Sequence, residues 1–154
     1  MWQNEKMSNI TISEARVTLG SLLRKPYEVL QVKVYAGLAA RGFGDIRPAH
    51  SSVFRYIRPE GSRVSDLAEL ADMTKQSMAY LAGNLADLGY VTIAPDPTDA
   101  RAKLVILTVR GRQVWDALVE LSFDLEGQCA ARIGAEKMAQ LRAILGELAA
   151  AIAD

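Results

Sequence analysis

The run from Val64 to Thr108, VSDLAELADMTKQSMAYLAGNLADLGYVTIAPDPTDARAKLVILT, admits few folds, because helical and strand periodicities succeed one another in it without a linker. Leu67, Leu70 and Ala71 recur at helical intervals, and Ser65 is expected to offer an oxygen to the unpartnered opening amides. Asp72 and Met73 interrupt that pattern. Thr74 is a second cap, ahead of Met78, Leu81, Leu85 and Leu88 on one face of a longer helix. Gly89 should end it, since glycine enters the left-handed conformation without steric cost. Gly83 lies inside this helix at a cost of about 1 kcal/mol relative to alanine, and close packing against a neighbouring backbone is the expected reason. Tyr90 to Ala94 are then strand formers, Pro95 and Pro97 bound a turn, and Leu104 to Leu107 return as a second strand. Helix, turn, helix and charged hairpin in this order is the wiring of a winged helix-turn-helix, which predicts a DNA-binding chain. Asp72 stands in the turn where many such units carry glycine, and aspartate tolerates left-handed geometry better than most residues.

With the apolar face committed to a core, Lys75, Gln76, Ser77, Tyr80 and Asn84 fall near the helix start or on its outer side, where a recognition helix meets base edges and phosphates. A polar face alone is also what any solvated helix shows. The hairpin decides between the two. Asp96 to Lys103 is expected to be a loop tip carrying Arg101 and Lys103, and a guanidinium there can enter a narrow A·T-rich minor groove. Asp99, two residues earlier, is placed to hold Arg101, although as a bare exposed ion pair it is worth only about 0–1 kcal/mol.

Asp99-Ala100-Arg101 followed by Leu104 and Leu107-Thr108, set behind Leu85-Ala86-Asp87-Leu88-Gly89-Tyr90-Val91, resembles the wing signature of the MarR family of bacterial transcriptional regulators. The flanks are similar to that family too: Tyr27 to Phe54, with Val34 to Ala40 and Asp45-Ile46-Arg47-Pro48-Ala49-His50, and the two helical stretches after Thr108. The resemblance covers all but the first ten or so residues. It implies a homodimer on double-stranded DNA, with the helix of residues 75–88 in the major groove and the wing of residues 95–103 in the minor groove, Arg101 inserted. It also implies a pocket for a small aromatic or phenolic effector where the DNA-binding and dimer regions meet.

At 154 residues, 50% hydrophobic and 23% charged, the chain is long enough for one compact domain with its own core, and the motifs and the resemblance make that domain mainly α, with a small β-hairpin wing and dimerisation helices. Residues 1–10 are expected to be a flexible N-terminus, 11–46 and 109–154 the helical dimerisation region, and 47–108 the winged unit. Net charge is +0 and the pI about 6.6, so any DNA-binding surface must be a local one. Arg55, Arg58, Arg63, Lys75, Arg101, Lys103, Arg110 and Arg112 are expected to supply it, with Glu120, Asp124, Glu126, Glu136 and Glu147 making the later helices acidic. No apolar run approaches the ~20 residues that span a bilayer, and the polar start is no signal peptide, so a cytoplasmic protein without a membrane partner is expected. Cys129 is the sole cysteine and His50 the sole histidine. Neither forms a metal or nucleophile constellation, and no Gly-rich phosphate loop is present, so no cofactor, metal or enzymatic activity is expected. Cys129 reads as a packed, inert thiol rather than a redox sensor.

Thr11 with Glu14 fits a capping box for a first helix through Leu19, Leu22 and Leu23. Pro26 should kink or break it, and a second segment to Ala40 would carry Leu30, Val34 and Leu38 on one face. A helix from about Val109 bears Val114, Leu118, Leu121 and Leu125, and Gly134 separates it from a last helix with Met138, Leu141, Leu145, Leu148 and Ile152. That last stripe suits a second copy of the chain, since a terminal helix of a small domain has few partners of its own. Tyr27, Tyr35, His50, Phe54 and Trp115, with Phe43, are the candidate lining of a ligand cavity. Aromatic residues at helical spacing are equally what a core shows. A winged module that binds protein rather than DNA is the alternative reading, and it would present an apolar patch where Arg101 stands.

Overall fold

The computed structural model describes residues 17–153. The expected flexible N-terminus and the Thr11–Glu14 cap lie outside them. Helix α1, Leu19–Ala40, is opened instead by Thr18: the Ser21 N–H donates to Thr18 Oγ1 at 3.3 Å, and the Thr18 N–H donates to Ser21 Oγ at 3.0 Å. Pro26 does not break α1, which continues through it to Ala40. The proline forfeits one hydrogen bond out of a 22-residue helix, and its fixed φ is itself helical.

A 3-10 turn, Pro48–His50, leads into α2, Ser51–Tyr56; β1, Ser62–Arg63; α3, Val64–Leu70; and α4, Lys75–Asp87. Two strands follow, β2 over Val91–Asp96 and β3 over Asp99–Leu107, and then the helices α5, Val109–Ile133, and α6, Ala135–Ala151. The sheet is antiparallel in the order β1-β3-β2, so β2 is an edge strand and tolerates Pro95. The fold is therefore mainly helical with a small winged sheet.

Local chemistry accounts for most boundaries. Thr74 Oγ1 accepts the Ser77 N–H at 3.1 Å and opens α4. Asp72 in the preceding turn has φ 50°, and Gly89 ends the helix at φ 80°. Helix α3 departs from its expected cap: Arg63 is the N-cap residue with no side-chain bond, and the Ser65 hydroxyl bonds Asp66 instead. Leu70 of its apolar series is exposed. Gly83 has nothing within 4 Å of the place a Cβ would occupy, so no neighbouring backbone explains it.

The core lies in the winged unit. Leu67, Met78 and Leu85 from α3 and α4 meet Tyr90 just ahead of β2, Val91 and Val105 of the sheet, Val53 and Phe54 of α2, and Val114 of α5. Leu38 joins from the end of α1, which crosses α5 closely enough that a Cβ on Gly37 would meet Leu121 Cδ2 at 2.6 Å. The long helices are otherwise thinly covered. Helix α6 buries no residue, and Leu141, Ile144 and Leu145 are exposed, as are Leu22, Leu23, Val29 and Leu30 of α1 and Phe123 of α5. Among the described residues no helix is long and apolar enough to cross a membrane.

Candidate nucleic-acid interface

Helix α4 turns Met78, Leu81 and Leu85 inward, which leaves Lys75, Gln76, Ser77 and Tyr80 outside. Tyr80 is 74% exposed. The Ser77 hydroxyl accepts from Thr74 Oγ1 at 2.8 Å, so this candidate reader also serves the helix cap. Asn84 is placed differently: its Oδ1 bonds His50 Nε2 at 2.8 Å, turning the carboxamide toward the protein.

The wing differs in detail from the expected loop. Strand pairing continues to Pro95 opposite Lys103 and then jumps to Asp96 opposite Asp99, so Ala100, Arg101 and Ala102 bulge out of register. Arg101 sits in this bulge, beside the turn rather than at its tip, with its side chain 94% exposed. Asp99 Oδ1 accepts the Arg101 backbone N–H at 3.1 Å and Nε at 3.5 Å, anchoring the base of the side chain while its end stays in solvent. Lys75, Arg101 and Lys103 converge on one cleft of about 240 Å³ between the start of α4 and the wing, floored by Val64, Ala79 and Ala102. Three cations from two elements, beside the positive end of a helix dipole, form a surface suited to phosphate.

The basic surface is narrower than composition suggests. Arg63 is committed to partners within the chain: its Nε donates to Asp96 Oδ2 at 2.6 Å and Nη2 to Thr98 Oγ1 at 3.1 Å. The Thr98 N–H and hydroxyl both donate to Asp96 Oδ1 at 2.7 Å. This clasp ties β1 to the far end of the wing, and the hydroxyl and amide of Thr98, followed by Arg63, hold the Asp96 carboxyl down at about 2 against an ordinary 3.8. A carboxyl depressed on folding stabilises above its unfolded pKa and loses that contribution as pH falls through the folded value. Asp96→Asn should therefore melt below the parent at neutral pH, with the gap closing between about pH 4 and pH 2. Paired thermal melts across that range check it, and a pH-independent gap would exclude the clasp.

Arg110 is likewise committed. Its guanidinium lies 4.9 Å from the centroid of the Tyr90 ring and 5.4 Å from that of Phe43, and its Nη2 donates to the Tyr90 hydroxyl at 3.0 Å. That hydroxyl donates to Asp45 Oδ1 at 2.5 Å. Burial, then the bond to Asp45, holds the phenol above its ordinary pKa. The cluster joins the loop after α1, the start of β2 and the start of α5. Sequence reasoning gave no role to it, nor to the Arg63–Asp96–Thr98 clasp. The Asp-x-Thr pattern of an Asx turn was the available signal for the clasp.

On the other side of the winged unit, a cavity of about 530 Å³ opens between α2, α5 and α6. Phe54, Arg55 and Trp115 line it with Leu118, Phe123 and Arg142. Of the expected ligand residues, Phe54 and Trp115 are thus in its wall. Tyr27 is one step removed, its hydroxyl accepting from Arg55 Nη2 at 3.2 Å. Two others are placed inside the fold. His50 is buried against Asn84, and the Tyr35 hydroxyl is buried with no partner in bonding geometry, its pKa raised by burial although the nearby Ser51 hydroxyl pulls the other way.

Residues 45–102, the stretch that carries α2 to the wing, match the MarR family of sequences. Over this segment the chain resembles the MarR family. A curated relative, the transcriptional activatory protein BadR of Rhodopseudomonas palustris, is 37% identical over 60 residues, which cover 39% of this chain and about a third, 34%, of that protein's length. The likeness in fold extends further than this match. The crystal structure of transcriptional regulator Tm0710 from Thermotoga maritima is 27% identical, with a TM-score of 0.62 over 89% of this chain and 95% of that one. CouR from Rhodococcus jostii RHA1, solved bound to p-coumaroyl-CoA, shares the fold at 24% identity, with a TM-score of 0.65 over 85% of this chain and 91% of that one. The chain thus shares the fold of these regulators in the long helices as well as in the winged unit.

Proposed function

We propose that the chain is a homodimeric transcriptional regulator that reads a pseudo-palindromic operator, with α4 in the major groove and the wing in the minor groove. The observation that carries this reading is Arg101: a solvated guanidinium, anchored at its base by Asp99, beside Lys75 and Lys103 in one cleft. A protein-binding wing would present apolar surface there instead. Two copies related by a two-fold axis would set their recognition helices about one helical turn apart, roughly 34–36 Å, so that each takes a half-site. The exposed apolar faces of α1 and α6 are the surfaces that pair the copies.

Repression by occupancy of a promoter is the primary reading. Activation is the second, favoured by the match to BadR across the winged unit. The cavity beside α2 falls within the usual size of a small-molecule site, and its apolar walls with Arg55, which has no carboxylate partner among the described residues, suit an aromatic effector bearing an anionic group. The acyl thioester bound by CouR is of that chemistry.

The test is DNA selection from a random library followed by fluorescence anisotropy at fixed salt. Arg101→Ala should weaken binding to the selected site about tenfold or more with an unchanged melting temperature. Equal affinity would remove the wing from the interface.

A further inference from the structure

One polar link joins the cavity wall to the recognition helix. His50 closes the 3-10 turn and directly precedes α2, whose Ser51, Phe54 and Arg55 form one side of the cavity. The residue is 2% exposed. The Arg47 backbone N–H donates to His50 Nδ1 at 3.1 Å, so that nitrogen presents a lone pair and the neutral ring carries its proton on Nε2. Nε2 then donates to Asn84 Oδ1 at 2.8 Å, in the third turn of α4. Among the described residues no other side-chain hydrogen bond joins α4 to another element; the rest of that contact is apolar, through Val53, Met78, Leu81 and Leu85. Apolar packing sets the distance between two helices, whereas a hydrogen bond from a ring locked in one tautomer also sets the roll of one against the other.

We propose that His50 is a positioning residue through which the contents of the cavity set the orientation of the recognition helix. An occupant that displaces the α2 wall moves the imidazole, and the bond to Asn84 Oδ1 turns α4, which carries Lys75, Gln76 and Ser77 at its other end. The inference rests on the reading of α4 as the DNA-reading helix and of the cavity as the effector site.

The test places a defined occupant in the cavity. In a Ser122→Cys, Cys129→Ala chain, a bimane on the single thiol at the cavity wall is the probe. The first readout needs no DNA: the long-range ¹H–¹⁵N spectrum of the imidazole, unambiguous because His50 is the only histidine. Labelling should shift the His50 ring and Asn84 carboxamide resonances and weaken DNA binding about tenfold. In Asn84→Ala and in His50→Phe the labelled-to-unlabelled affinity ratio should fall to within about twofold, while His50→Gln, which keeps a side-chain N–H toward Asn84, should restore part of it. Taking the ratio within each variant cancels any direct contact of Asn84 with DNA, and Asn84→Ala leaves the buried ring in place where His50→Phe destabilises the fold. A labelled parent with unmoved imidazole resonances, or an equal ratio with and without the link, would overturn the proposal. Absence of DNA binding by the unlabelled parent would instead defeat the functional reading, and the imidazole shift would then decide the link by itself.

Discussion

Leu141→Glu combined with Leu145→Glu should raise the dissociation constant of the proposed dimer at least a thousandfold, on the order of 4 kcal/mol or more. Helix α6 contributes nothing to the core of its own chain, and Leu141, Ile144 and Leu145 stand exposed on it. Burying each leucine is worth about 1.5–3 kcal/mol, and a two-fold dimer loses each of them twice while gaining carboxylates that must be desolvated or left unpaired. Sedimentation across a concentration series measures the effect. A dimer that persists at parental concentrations would place the interface elsewhere. With the copies separated, affinity for a paired half-site should fall to that of a single winged unit, which the same DNA titration reads.

Gly111→Ala should cost about 3 kcal/mol or more and lower the melting temperature by on the order of 10 °C. A Cβ at this position would lie 1.9 Å from the Tyr90 carbonyl oxygen and 3.1 Å from Leu107 Cδ2. The carbonyl cannot yield cheaply. It accepts the Thr108 N–H at 3.0 Å, and Thr108 Oγ1 donates to the Gly89 carbonyl at 2.7 Å while accepting the Gly111 N–H at 3.0 Å. The start of α5 is therefore pinned to the start of the wing by a set of bonds that a methyl group would force apart. Calorimetry or a denaturant melt decides it, and a change under 1 kcal/mol would mean that α5 shifts freely against the sheet.

What the sequence made legible was set by neighbours near in the chain. Thr74, Asp72 and Gly89 act on their own turns, so their roles could be read from residue type and spacing. The α4 face, the wing strands and the apolar stripe of α6 followed from periodicity. The failures involve distant partners. Strand β1 is two residues long and exists because Ser62 and Arg63 pair with Val105 and Leu104, which no local pattern encodes. Gly111 matters because of a carbonyl more than twenty residues earlier, and Asn84 is turned inward by a histidine from another segment. Pro26 does not end α1, since a penalty local to one turn does not decide the fate of a helix that continues well beyond it.

The clasp of Arg63, Asp96 and Thr98 bears on how the chain meets a partner. A two-residue turn at the end of a hairpin would ordinarily sample many shapes, and ordering it on contact would subtract from affinity. Here the ordering is completed when the protein folds, because a side chain from β1 reaches across the sheet to fix the end of β2. The bulge that presents Arg101 thus starts from a rigid base, and only the outer reach of its side chain is left to be immobilised on binding. Loosening the clasp would then be felt as slower productive encounter and as lost affinity in a residue that never touches the bound molecule.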